Sequence, residues 1–95
     1  MQLIVQSVSK YLNAVVSPLI KYTEKAQLRV ATFEEEALVR FKLILEASDV
    51  ARVIGRNGMT ASAIRSMAKA AGEKHGIKVI VHILSADELT KEPVA

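Results

Sequence analysis

The turn Gly55-Arg56-Asn57-Gly58 limits this chain more than any other stretch. Before it, Val50, Val53 and Ile54 fall on one face of a helix, and after it Ala61, Ile64, Ala68 and Ala71 recur at helical spacing. Two helices must therefore meet at a corner bracketed by glycines, with an arginine and an asparagine at its tip. Because neither glycine has a Cβ, another backbone or a ligand can come close to the corner. The second helix starts at the same place, so its free N–H groups and the positive end of its dipole face outward there. That combination suits a phosphate group.

Other readings of the four residues fail on their flanks. Asn-Gly marks tight β-hairpins only between stretches of alternating polarity, and neither flank alternates. A dinucleotide fingerprint needs a third glycine and a strand leading into the loop, and a P-loop needs Gly-Lys-Ser/Thr; none of these is present. The remaining alternative is a plain helix–turn–helix corner without a ligand.

Charge separates these two. The net charge of +3 is modest, but residues 1–49 balance, with six basic and six acidic side chains. Residues 50–84 hold Arg52, Arg56, Arg65, Lys69, Lys74 and Lys78 against Glu73 alone. Positive charge thus gathers around the corner, as expected for a polyanionic partner; the competing explanation is a solvated helix face. Ninety-five residues, 51% of them apolar and 24% charged, predict one globular domain with a single core. The absence of cysteine excludes disulfides, thiol catalysis and cysteine-ligated metals. Gln6, Ser7, Ser9 and Lys10 interrupt the N-terminal apolar run, so neither a signal peptide nor a membrane span is expected, and the chain reads as cytoplasmic and unprocessed.

Along the chain, Val5, Val8, Leu12, Val15 and Leu19 form a helical stripe from Leu3 to about Tyr22, broadened by Ile4, Tyr11 and Val16. Pro18 should kink this helix with one further turn beyond it. The wide apolar face suggests partial packing against a second molecule. A strand is expected over Leu28–Phe33, an acidic turn at Glu34-Glu35-Glu36, and a second strand over Leu38–Leu45 with Val39, Phe41, Leu43 and Leu45 inward. Ser48 reads as the N-cap of a short helix 49–54, with Asp49 complementing its dipole. A helix over 59–74 turns Ser62, Arg65, Ser66, Lys69 and Glu73 outward and stops at Gly76. The last strand, 77–84, alternates Ile77, Val79, Val81 and Ile83 with Lys78, Ile80, His82 and Leu84. Residues 87–95 read as a flexible tail. The order α-β-β-α-α-β predicts an α+β domain. In it a hairpin and a right-handed parallel crossover form a three-stranded mixed sheet with helices on one face.

The segment Ser48-Asp-Val-Ala-Arg-Val-Ile-Gly-Arg-Asn-Gly-Met-Thr-Ala-Ser-Ala-Ile64 resembles the KH domain in its type II arrangement, and in particular the small bacterial RNA-binding proteins that consist of one KH domain. Asp49, Arg52, Val53, Ile54, Gly55, Arg56, Gly58, Thr60, Ala63, Ile64 and Arg65 match the family pattern, and Val16-Ser-Pro-Leu-Ile20 is similar to its kinked first helix. Two positions depart from it: Ala51 stands where glycine is usual, and Met59 where a basic residue often follows the loop. The resemblance covers a domain of residues 1–86, with its core at 37–84 and an N-terminal helix and strand at 3–34. It implies binding of single-stranded RNA, with the Gly-x-x-Gly loop clamping roughly four nucleotides by their backbone. It also implies an RNA chaperone or post-transcriptional regulator linked to bacterial cell length and wall homeostasis. The expected assembly is a homodimer or a complex with a larger KH-containing RNA-binding protein, which would raise affinity through effective concentration.

On this reading Gly55, Arg56, Asn57 and Gly58 hold phosphate. Val50, Ile54, Ala61 and Ile64 line the helical side of a base groove, and the strand Lys78–His82 forms its other wall. Thr60, Arg65, Lys69 and Lys78 are further candidate contacts. With two Tyr and two Phe, none near the corner, stacking platforms are not available to this groove. Neither His75 nor His82 has a second ligand or nucleophile in the pattern, Glu34-Glu35-Glu36 is a turn of like charges, and no cofactor, metal or catalytic arrangement is implied. The rival functions are a protein-interaction scaffold and single-stranded DNA binding.

Overall fold

The computed structural model describes residues 1–91. Its elements are α1 (Gln2–Val16), β1 (Gln27–Phe33), β2 (Leu38–Leu45), α2 (Ala47–Ile54), α3 (Met59–Glu73), β3 (Lys78–Ser85) and α4 (Ala86–Lys91). β2 is the central strand. β1 pairs with it antiparallel, Val30 opposite Phe41, and β3 pairs with it parallel, Val81 opposite Phe41. The α+β fold, the hairpin and the parallel crossover agree with the expectation from sequence.

Alternation fixes the faces of the sheet. Val39, Phe41, Leu43 and Leu45 of β2 and Val79, Val81 and Ile83 of β3 are buried against the helices. α1 contributes Ile4, Val8, Leu12 and Val16, and α3 contributes Ala61, Ile64 and Ala68. Val8 and Leu12 agree with the expected stripe, whereas Ile4 and Val16, expected only to broaden it, take the central places of Val5 and Val15. Val5, Tyr11 and Val15 are its half-buried flanks, and Leu19 is exposed. Pro18 accounts for the end of the helix. It has no N–H to continue the α-helical ladder, and Ser17–Leu19 tighten into a single 3₁₀ turn before Ile20 becomes extended. The helix is thus shorter than the span to Tyr22 that its apolar content suggested.

Two local features lay outside the sequence reading. The hairpin turn is a 3₁₀ turn at Glu34–Glu36 that hands over to β2 through Ala37, whose backbone is left-handed (φ 49°, ψ 49°). After β3, residues 86–91 form α4, which packs against β2 and β3 where the outward-pointing Ile44 and Leu84 are buried. The tail expected at 87–95 is therefore helical as far as Lys91; its remainder, 92–95, lies outside the described residues. Among the described residues no helix is long and apolar enough to cross a membrane.

Candidate nucleic-acid interface

α2 carries the corner, and its base is held by a buried carboxylate. Asp49, 0% exposed, accepts the backbone N–H groups of Lys21 and Tyr22, each at 2.9 Å, and Nη1 of Arg52 at 2.9 Å. Burial raises the pKa of this carboxyl. The Lys21 and Tyr22 amides and the Arg52 guanidinium outweigh it, so the group titrates below the usual aspartate value. Asp49 thereby ties the loop that follows α1 to the start of α2, across more than 25 residues of sequence. The sequence reading gave it only a helix-dipole role. The N-cap also lies two residues earlier than expected. Glu46, rather than Ser48, caps α2, its carboxylate accepting the Ser48 N–H at 2.9 Å and the Ser48 hydroxyl. The Ser48 hydroxyl and N–H lower the pKa of Glu46 in turn.

The far end of α2 is the corner itself. Gly55 adopts φ 74° and ψ −178°, and a Cβ there would fall 2.5 Å from Oγ1 of Thr60. Gly55 is therefore required both by its backbone and by the half-buried Thr60 side chain packed beneath it. Asn57 is left-handed (φ 56°, ψ 25°), a conformation asparagine tolerates, and Gly58 follows at φ 71°. Nothing stands within 4 Å of where a Gly58 Cβ would be. The corner is closed by the Gly58 N–H donating to the Gly55 carbonyl at 3.2 Å. Arg56 and Asn57 are exposed, and so is Met59, at 69%. The turn thus projects into solvent, uncovered by the other described residues, with α3 starting directly behind it.

A groove of about 670 Å³ runs from one turn below the corner along the junction of α3 and β3. Its helical wall is Ser62, Arg65, Ser66 and Lys69, its other wall is the β3 segment from Val79 to Leu84, and Glu88 of α4 also borders it. The strand wall overlaps the expected Lys78–His82 at residues 79–82 but omits Lys78 and extends to Leu84, and the helical wall differs from the expected one. Ala61 and Ile64, each 2% exposed, and Val50, 8% exposed, are core residues, and Ile54 is half-buried beside the corner. The reason is geometric. α3 lies flat on the sheet, so its apolar stripe is closed off, and the groove is lined by the residues one position, about 100° around the helix, further on. The groove is accordingly more polar than the sequence reading held. Arg65 crosses it, donating from Nε to the Val81 carbonyl on the free edge of β3 at 3.1 Å. Lys69 and Lys78 are exposed on either side of the shallow hollow at Gly76 and Ile77.

Gly72 was not singled out from sequence. A Cβ on it would fall 2.5 Å from the Ile77 carbonyl oxygen and 2.5 Å from Cγ2 of Val79, so its hydrogen is what lets the end of α3 close on β3. Buried small residues at 61, 68 and 72 were the available signal.

A helix–loop–helix with this turn, set beside the free edge of a parallel strand, can be compared with known families. Residues 9–83 match the family model described as KhpA/KhpB, KH domain. The chain is a member of this KH family. Among curated relatives, it is 32% identical over 73 residues to the RNA-binding protein KhpA of Clostridium acetobutylicum, covering 77% of this chain and 95% of that protein. It is 31% identical over 71 residues to KhpA of Listeria monocytogenes (75% and 91%) and 35% identical over 65 residues to KhpA of Bacillus subtilis (68% and 78%). Gly55–Gly58 has Gly-x-x-Gly spacing and joins α2 and α3. β1 and α1 are the N-terminal extension that makes the arrangement type II.

Proposed function

We propose that this KH protein binds single-stranded RNA, with the Gly55–Gly58 corner holding the sugar–phosphate backbone and the α3–β3 groove receiving the bases. The observation that carries this reading is the solvent-exposed corner. It bears an arginine and an asparagine, has open space at Gly58, and backs onto the N-terminus of α3. Arg56 supplies the charge, Asn57 a hydrogen-bonding side chain, and the backbone amides after Gly58 the remaining donors. Ile54 and Thr60 shape the mouth of the groove. Arg65, Lys69 and Lys78 line or flank its course, while Ala61 and Ile64 support it from the core. The names of the curated KhpA relatives support RNA as the partner.

Its role on this reading is that of an RNA chaperone or post-transcriptional regulator of cell length and wall homeostasis, acting in the cytoplasm without catalysis. One groove gives modest affinity, and a homodimer or a complex with a larger KH protein would supply a second.

The test is a titration of labelled single-stranded RNA with the wild type and an Arg56→Asp/Asn57→Asp variant. Asn57 already occupies a conformation that aspartate tolerates, so the variant should keep its circular dichroism spectrum. Its affinity should fall by roughly thirtyfold or more, as expected when a charged hydrogen bond of about 2 kcal/mol is replaced by repulsion. Wild-type affinity should fall as salt rises. An unchanged titration would instead favour a protein-interaction scaffold. Equal binding of DNA of the same sequence would remove the 2′-hydroxyl from recognition.

A further inference from the structure

None of the three strands contains an acidic residue, and every ionisable side chain on them is basic. The register places all of these on the sheet face that α1 and α3 leave uncovered. Arg29, Lys42 and His82 share one cross-strand row, Arg40 lies in the next between Ala31 and Ile80, and Lys78 lies in a third with Leu38 and Phe33. Arg29 and Lys42 stand directly opposite each other, and like charges so placed repel and cost stability, although Lys42 also has a partner within the chain. A band of this kind therefore points to an anionic partner rather than to packing.

The band also offers an apolar surface. The Arg40 guanidinium lies over the Phe33 ring, 5.6 Å from its centroid, and its Nε is buried without a hydrogen-bond partner among the described residues. Phe33 keeps 37% of its surface exposed. The flanking acidic residues are Glu34–Glu36 beyond Phe33 and Asp87 and Glu88 in the first turn of α4, of which Glu88 also lines the groove. The band therefore runs across the strands, over a width of about 10 Å between β1 and β3. At β3 it joins the groove, whose lining includes Ile80 and His82 of the outer face together with Arg65 and Lys69 of α3. The groove thus rounds the edge of β3 onto this face.

We infer that the outer sheet face is a second phosphodiester-binding surface, which takes the part of a single RNA strand that leaves the groove over the edge of β3. The inference rests on the reading of the corner as a phosphate clamp. Arg29 and Arg40 meet phosphates and Phe33 offers its ring to a base. An acidic polypeptide would meet the same charge, but the continuity with the groove favours the strand already held there.

The experiment compares wild type, Arg29→Ser/Arg40→Gln and Arg56→Asp/Asn57→Asp on RNAs of about 4 nucleotides, the footprint of a KH clamp, and about three times that length. The short RNA should bind the wild type and the sheet variant alike. The long RNA should bind the wild type more tightly, and the sheet variant should lose that gain. Its slope of log affinity against log salt should be shallower by about 1.4 for two phosphate contacts. Arg29→Ser alone, at an exposed position, should lower the slope by about 0.7 and keeps the test valid if the Arg40 substitution disturbs β2. Equal gain with length and equal slopes in wild type and sheet variants would overturn the inference. So would binding of poly-glutamate that the sheet variant abolishes while the RNA gain persists. Short-RNA binding that survives in the corner variant would sink the clamp reading instead, so the two failures are distinguishable.

Discussion

The two ends of α2 are built on opposite principles. At its start Asp49 is fully enclosed and takes two backbone donors and a guanidinium from 2.9 Å, so the helix is anchored by a charge that water cannot reach. At its finish Arg56 and Asn57 are exposed between two half-buried glycines, and the corner is closed by one 3.2 Å backbone hydrogen bond, with open space where a Gly58 side chain would stand. One end uses a charged side chain to hold the fold, and the other withholds side chains, which on the proposed reading leaves room for a charged ligand. A helix of eight residues separates the two ends.

If that contrast is right, damage at the base should appear as lost stability, and damage at the tip as lost binding. The largest stability effect is expected for Asp49→Ala, which leaves the Lys21 and Tyr22 amides without their acceptor. The melting temperature should drop by about 10 °C or more, and a drop of only a degree or two would show that the anchor is dispensable. The same carboxylate sets an acid limit. Because its pKa is lowered in the folded state, its contribution is complete above the unfolded value of about 3.9 and disappears as pH falls through the folded value. Thermal melts of wild type should therefore lose stability steeply on the acid side of that value, and Asp49→Ala should show a flatter profile there.

Gly72→Ala comes next, at about 1–3 kcal/mol in chemical denaturation, because the methyl group would meet the Ile77 backbone within 2.5 Å. The two corner glycines should then separate. Gly55→Ala forces both the backbone and Thr60 and should cost about 1–3 kcal/mol, whereas Gly58→Ala meets open space and should cost about 1 kcal/mol. Equal costs would mean that Thr60 does not brace the turn. The smallest effect is that of Arg65→Met, about 1 kcal/mol for the hydrogen bond to the Val81 carbonyl, read in the same denaturation series.

What the sequence made legible is what repeats locally. Alternation in Leu38–Leu45 identified the inner face of the sheet, alternation in Ile77–Leu84 separated the two faces of the last strand, and the spacing of Ala61, Ile64 and Ala68 identified the buried stripe of α3. The corner was readable because its glycines demand their backbone. What escaped depends on neighbours distant in sequence. Nothing around Asp49 announces that Lys21 and Tyr22 will donate to it, and nothing around Gly72 announces the Ile77 carbonyl. The groove wall was misplaced for the same reason. A helical repeat shows which residues are apolar, but the angle at which α3 meets β3 decides whether its edge at Ser62 or its stripe at Ile64 borders open space. In α1 a stripe of eight apolar positions was too broad to fix the rotation, and Ile4, Val8, Leu12 and Val16 proved to be its centre. The cationic outer face needed the strand register before Arg29, Lys42 and His82 could be seen in one row.

The division of labour along α2 is tested most directly by following backbone amide signals by NMR while single-stranded RNA is added to the wild-type protein. The amides of Arg56, Asn57, Gly58 and Met59 should move first and furthest, while those of Lys21, Tyr22 and Asp49 stay in place. Large shifts at the Asp49 anchor with a silent corner would contradict the account.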